Sequence, residues 1–145
     1  MKKAGVSLPS RLRAALTNTL ILTQGADDCL WLYPPKEWMQ LVKVIMDSTS
    51  PFKANSRLVR RRIIGPSQEV EIDKAGRIAI PQSLREFAAL SRDCVVLGQY
   101  EYVEIWDAAR YRSYIEGNKA EFNSGFEELG ALLQGEKDVS EKDGV

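Results

Sequence analysis

Residues 72–90 read IDKAGRIAIPQSLREFAAL, and the order of their chemistry specifies a local structure. Val70 and Ile72 alternate with Glu69, Glu71 and Asp73, while Ile78 and Ile80 flank Ala79. An apolar side chain at every second position is the mark of a strand with one buried face, so two strands are expected around Lys74-Ala75-Gly76. Gly76 takes a positive φ without a Cβ clash, and the Asp73 carboxylate accepts hydrogen bonds from turn amides. Pro81 ends the second strand and suits the first position of a helix, whose apolar stripe is Leu84, Phe87 and Ala88, with Leu90 at its end. Further out, Cys94–Leu97 and Tyr102–Trp106 read as a second strand pair around Gly98, followed by a helix over Ala108–Ile115.

The unit occurs twice. VSLPSRLRAAL, Val6–Leu16, aligns with IAIPQSLREFA, Ile78–Ala88, at an offset of 72, matching Pro9 with Pro81, Leu12 with Leu84 and Arg13 with Arg85. CLWLYPPKEW, Cys29–Trp38, aligns with YVEIWDAARY, Tyr102–Tyr111, at an offset of 73. Two blocks in the same order, each followed by a helical pattern, indicate duplication of a β-β-α-β-β-α unit. The expected organisation is a first repeat over residues 1–50, a basic linker over 51–66, a second repeat over 67–117 and an acidic tail over 118–145. The segment DSTSPFKANS, with Pro51, reads as a loop. RLVRRRIIG after it reads as a linker or a helix end. In the tail, Phe122, Phe126, Leu129, Leu132 and Leu133 offer one weak amphipathic helix, with a disordered end from about Gly135.

Composition narrows the function. The chain contains no His, which removes Ser-His-Asp and Cys-His nucleophile activation and the usual general base near neutral pH. Cys29 and Cys94 are isolated from each other, so no metal site is expected and both read as apolar thiols. Glu71 and Asp73 share a strand face, but the turn beside them offers no pocket for paired-carboxylate chemistry. No cofactor and no small-molecule substrate are expected. No apolar run approaches the length of a membrane span, and the expected location is the cytoplasm. The net charge of zero conceals an asymmetry of +5 over residues 1–72 and −5 over residues 73–145. A basic body with an acidic tail suits a polyanionic partner and equally describes an ordinary solvated surface.

The string IDKAGRIAIPQSLREFAAL, followed by the strand pair VVLGQYEYVEIWD, resembles the second half of the MraZ family, and VSLPSRLRAAL with CLWLYPPKEW resembles the first. The resemblance covers about residues 3–116. It implies an α+β, mostly β fold in which two AbrB-like swapped-hairpin units form a pseudo-dimeric barrel with short helices. It further implies a ring-like homo-oligomer that binds direct repeats in promoter DNA, is associated with the nucleoid, and regulates the division and cell-wall gene cluster. The family signature, Asp-x-x-x-Arg at each hairpin turn, falls on Asp73 and Arg77. In the first half the same positions are Met1 and Gly5, so neither the Asp nor the Arg is present there. Two explanations stand: a longer true start, or a half that keeps its packing role without touching DNA.

A β-ribbon fits the major groove, and an arginine on it can hold guanine O6 and N7 with two parallel bonds. Arg77 is the candidate reader, Lys74, Lys3 and Lys2 the candidate phosphate contacts, and Asp73 and Gly76 the residues that shape the turn. A purely structural role for Arg77, an ion pair with Asp73, is compatible with reading. Arg13 and Arg85 are expected to pair within the chain or pack on their helices. Arg60, Arg61 and Arg62 are open between DNA, the acidic tail and a subunit contact. Trp31, Tyr33, Trp38 and Trp106 read as core. The alternative to a regulator is an oligomeric protein-interaction module in which the barrel persists and DNA binding has weakened.

Overall fold

The computed structural model describes residues 5–9 and 18–143, with side chains up to Glu136. The chain divides into two compact units, residues 1–109 and 110–145. In the first unit, β1 (Gly5–Ser7), β2 (Thr19–Gln24) and β3 (Leu30–Tyr33) precede α1 (Pro35–Ser48) and α2 (Ala54–Ile63). They are followed by β4 (Gln68–Glu71), β5 (Arg77–Ala79), α3 (Gln82–Phe87), β6 (Cys94–Gly98) and β7 (Val103–Asp107). α4 (Ala108–Gly117) leads to α5 (Lys119–Asp143) in the second unit.

The two halves of the repeat interleave strand by strand. β1 pairs antiparallel with β5 through Gly5↔Ala79, Val6↔Ile78 and Ser7↔Arg77. β3 pairs with β7 through Leu30↔Ile105, Trp31↔Glu104 and Leu32↔Val103. Val6 and Ile78 are the residues that align at an offset of 72, and Trp31 and Glu104 those that align at 73. In each case, equivalent positions of the two halves face each other, and the flanking pairs are symmetric about them. β2 pairs with β4, giving a five-stranded sheet in the order β4-β2-β3-β7-β6. β6, which stands where β2 does in the other half, has no strand on its outer side among the described residues.

Where a pseudo-dimeric barrel was expected, the described strands form two antiparallel sheets, one of five strands and one of two, that do not close into a barrel. Only the isolated bridge Ile72↔Ile78 joins the strands of the β4–β5 hairpin. β5 is three residues long, its ladder is with β1, and Pro81 has no N–H with which to extend pairing toward β4. The expectation of a mostly β chain with short helices is also corrected, since the described helices hold more residues than the strands. RLVRRRI, read as a linker or a helix end, lies within α2. The tail expected to be disordered from Gly135 continues as α5 to Asp143.

Alternation within the strands covers both faces of the large sheet. Leu20 and Leu22 point into a core with Val6, Leu8, Ile78, Ile80, Leu84 and Ile105, drawn from both halves. Ile21 and Trp31 point the other way, into a cluster with Tyr33, Trp38, Ile63, Leu41 and Ile45 from the face that carries α1 and α2. The buried Thr23 hydroxyl donates to the Ile63 carbonyl, fastening the end of α2 to β2. Asp107, buried at the end of β7, accepts from the Ser91 backbone N–H and hydroxyl and ties the segment before β6 to the sheet.

Cys29 is buried where the chain enters β3, and its sulfur lies 3.8 Å from Glu104 Oε2. Burial, aided by the negative charges of Glu104 and Asp27, pushes its thiol up to about 12 from an ordinary value of 9. The thiolate is therefore absent near neutral pH, and alkylation of the native protein at pH 8 should proceed more than tenfold slower at Cys29 than in the unfolded chain. Because the folded value is the higher one, this group supports the fold fully below pH about 9 and loses that contribution as pH rises toward 12. Mass-spectrometric labelling kinetics and denaturation midpoints across that range check both.

Candidate nucleic-acid interface

The turn between β4 and β5 is held by its own first residue. Asp73 N–H donates to the Arg77 carbonyl at 2.9 Å, and the Gly76 N–H donates to the Asp73 carbonyl at 3.0 Å. Asp73 Oδ1 accepts from the backbone N–H groups of Ala75 and Arg77, each at 2.9 Å. A short side chain closing hydrogen bonds onto amides two and four residues ahead is a means by which aspartate stabilises turns. Gly76 has φ 77°, a conformation in which a Cβ is strained, and its carbonyl accepts from the Leu8 N–H at 2.9 Å. The first half thus braces the second half's turn from below.

Arg77 projects from this brace. Its side chain is exposed, and its guanidinium forms no hydrogen bond or ion pair among the described residues. The ion pair considered from sequence is not formed: Asp73 engages the main-chain N–H of Arg77 and leaves the guanidinium free. Around it, the outward face of the β1–β5 ribbon carries Gly5, Ser7 and Ala79, all small. A Cβ placed on Gly5 would lie 3.7 Å from Arg77 Cδ, so the arginine stem runs along this strand. Lys74 is exposed at the tip of the turn. Lys2, Lys3 and Arg13 lie outside the described residues.

The structure sorts the arginine run. Arg60 donates from Nε to Thr49 Oγ1 at 2.8 Å and from Nη2 to the Thr49 carbonyl at 3.0 Å, bracing the loop between α1 and α2. Arg62 donates to the carbonyls of Gly25, Ala26 and Asp27, and its guanidinium carbon stands 4.9 Å from the centre of the Phe87 ring. Arg61 is exposed and unengaged among the described residues. Arg85 is half-buried on α3 and makes no ion pair among them. The structural duty of Arg62 was not foreseen, since no local pattern announces bonds to carbonyls 35 to 37 residues away.

Tyr33, Trp38 and Trp106 are buried. Trp31 is half-buried against Tyr33 and Tyr102, and Tyr33 stacks on Tyr102 at 5.0 Å, so these rings form core rather than a base-stacking platform. Among the described residues, no three His, Cys, Asp or Glu side chains converge as a metal site. No described helix is long and apolar enough to cross a membrane.

Among the described residues, then, the Arg77 guanidinium is unpaired and exposed, on a ribbon of small residues beside a turn locked by carboxylate-to-amide bonds. A model of the MraZ protein family matches residues 2–62 and again residues 63–130. Curated relatives named Transcriptional regulator MraZ include one from Treponema pallidum (strain Nichols), 48% identical over 129 residues, covering 88% of this chain and 87% of the relative. Another, from Treponema denticola, is 42% identical over 132 residues, covering 90% and 92%. A third, from Limosilactobacillus fermentum, is 37% identical over 130 residues, covering 88% and 90%. The chain belongs to the MraZ family.

The role of Asp73 is open to direct test. Asp73→Ala removes two hydrogen bonds to a charged acceptor at an exposed site and should cost about 1 kcal/mol, while Asp73→Asn, which keeps an acceptor oxygen, should cost clearly less. Amide exchange at Ala75 and Arg77 should accelerate in the alanine variant alone, as measured by NMR alongside chemical denaturation.

Proposed function

We propose that this chain is a DNA-binding transcriptional regulator whose sequence-reading group is Arg77, presented to promoter DNA by several assembled copies. The observation that carries the reading is the state of that guanidinium: exposed, unpaired among the described residues, and mounted on a turn fastened independently of it. Reading a guanine edge with two parallel bonds needs a cation that is already oriented and whose donors are not spent on the protein. Asp73 meets the first need through the backbone and leaves the second unaffected. The names of the curated relatives support the same assignment.

Lys74 supplies a phosphate contact beside the reader, with Lys2 and Lys3 in the same role. One turn spans few base pairs, so direct-repeat boxes in the promoter of a division and cell-wall gene cluster, met by a ring-like homo-oligomer, supply the affinity through multiple weak contacts. The protein works in the cytoplasm, on the nucleoid. Interleaving of the halves gives the pseudo-dimeric body from which the turn projects.

Arg77→Ala should fold and assemble as the parent does, yet lose at least tenfold in affinity for a direct-repeat promoter fragment over random duplex, at fixed salt in a gel-shift titration. Lys74→Ala should weaken all duplexes alike and reduce the slope of log affinity against log salt by about one. Undiminished promoter preference in Arg77→Ala sinks the assignment, and weak binding to every duplex favours an interaction module instead.

A further inference from the structure

On the outward face of the β1–β5 ribbon, Gly5 and Ser7 of β1 lie beside Arg77 and Ala79 of β5, with Val6 and Ile78 buried beneath. The Leu8 N–H donates to the Gly76 carbonyl, and hydrogen-bonded pairs alternate along an antiparallel ladder. Ser7 and Arg77, one step further, therefore form a non-hydrogen-bonded pair, in which facing side chains stand closest. Gly5 is the diagonal neighbour of Arg77 in the same register. A Cβ placed on Gly5 would lie 3.7 Å from Arg77 Cδ and 3.8 Å from Arg77 Cβ, so the stem runs alongside the place that a residue-5 side chain would fill. The backbone does not call for glycine there: Gly5 lies in a strand, and Gly76 is the glycine with a positive φ.

We propose that Gly5 is a specificity-determining position of the DNA interface, and that it acts by leaving the seat in which the Arg77 stem lies. The inference rests on Arg77 being the group that reads DNA. Glycine is disfavoured within a strand and marks places where another group approaches closely. Here the approaching group is the arginine stem, so the half of the chain that lacks the turn Asp and Arg aims the guanidinium of the other half. A long side chain with no protein partner loses rotamer freedom when it binds, and a seat that restricts it beforehand lowers that cost. Two parallel bonds to a guanine edge need the same fixed direction. The other outward residues, Ser7 and Ala79, are short, so Arg77 is the one long side chain that the described ribbon offers to a groove. A lone Cβ at 3.7 Å is in ordinary van der Waals contact, so alanine fits beside the stem. Isoleucine fills two of the three staggered positions on Cβ and competes with the stem for its space. Gly5 is thus a positioning residue that acts through Arg77.

The test is a set of gel-shift titrations at fixed salt, with a direct-repeat promoter fragment and a random duplex. The proteins are the parent, Gly5→Ala, Gly5→Ile, Arg77→Ala and the double variant Gly5→Ile/Arg77→Ala. Isoleucine suits an exposed strand position, so Gly5→Ile should unfold at no lower temperature than the parent. Gly5→Ala should keep the parent's promoter preference to within about twofold, and Gly5→Ile should lose at least about fivefold of it. In the Arg77→Ala background, Gly5→Ile should change the affinity for neither duplex, because the stem that it displaces is gone. In parent protein labelled at glycine and arginine alone, nuclear Overhauser effects should link the Gly5 Hα protons to the Arg77 Hδ protons. Parental preference in Gly5→Ile, an equal loss of affinity in both backgrounds, or absence of that proton contact overturns the proposal. Undiminished preference in Arg77→Ala removes the reading beneath it, whereas loss in Arg77→Ala with none in Gly5→Ile overturns the proposal alone.

Discussion

The antiparallel register that places Val6 against Ile78 is the constraint on which the rest of this fold depends. These two buried residues occupy the same position in the two halves of the duplication, and their pairing puts the β1–β5 ribbon over the core. From it follow the support of the Gly76 carbonyl by Leu8 and the position of Ser7 beside Arg77. A second symmetric register, Trp31 against Glu104, closes the centre of the large sheet. Each half supplies strands that the other half hydrogen-bonds, so neither holds a complete core of its own.

The β4–β5 hairpin was legible because its determinants are local. A two-residue period, an aspartate and a glycine specify strands and turn without reference to any other part of the chain. The duplication was legible for the same reason. Three features were not. Period two tells which face of a strand is buried but not which strand lies beside it, so the pairing of β1 with β5 and of β3 with β7 was not available from the pattern. In α2, four arginines among ten residues mask an amphipathic helix whose Ile63 is buried and whose Arg60 and Arg62 bond across to loops. α5 continues past Gly135, where composition argued for disorder and successive turns still formed.

At the candidate site, the sequence named Asp73 and Arg77, and the structure shows which groups the Asp73 carboxylate engages. Whether the Asp73 carboxylate would take the guanidinium or the backbone of Arg77 could not be decided from composition, since both lie within reach of a four-residue turn. The backbone wins because Ala75 and Arg77 present their amides to a single oxygen in a geometry fixed by Gly76 at positive φ. A carboxylate on a turn would ordinarily repel an approaching anion. Here its charge is partly satisfied by inward-facing N–H groups, and the arginine is left to face the solvent.

The interleaving also has a consequence during synthesis. β3 leaves the ribosome more than seventy residues ahead of β7, the neighbour it needs to complete the sheet centre. At translation rates of roughly 5–20 residues per second, that wait lasts on the order of 4 to 15 s. For this time LILT and LWLY are emergent apolar strands without their final partners, candidates for capture by a chaperone or by another nascent chain on the same message. Two chains growing side by side expose the same registers to each other before either polypeptide is finished, so an exchange of halves between them is open at that stage.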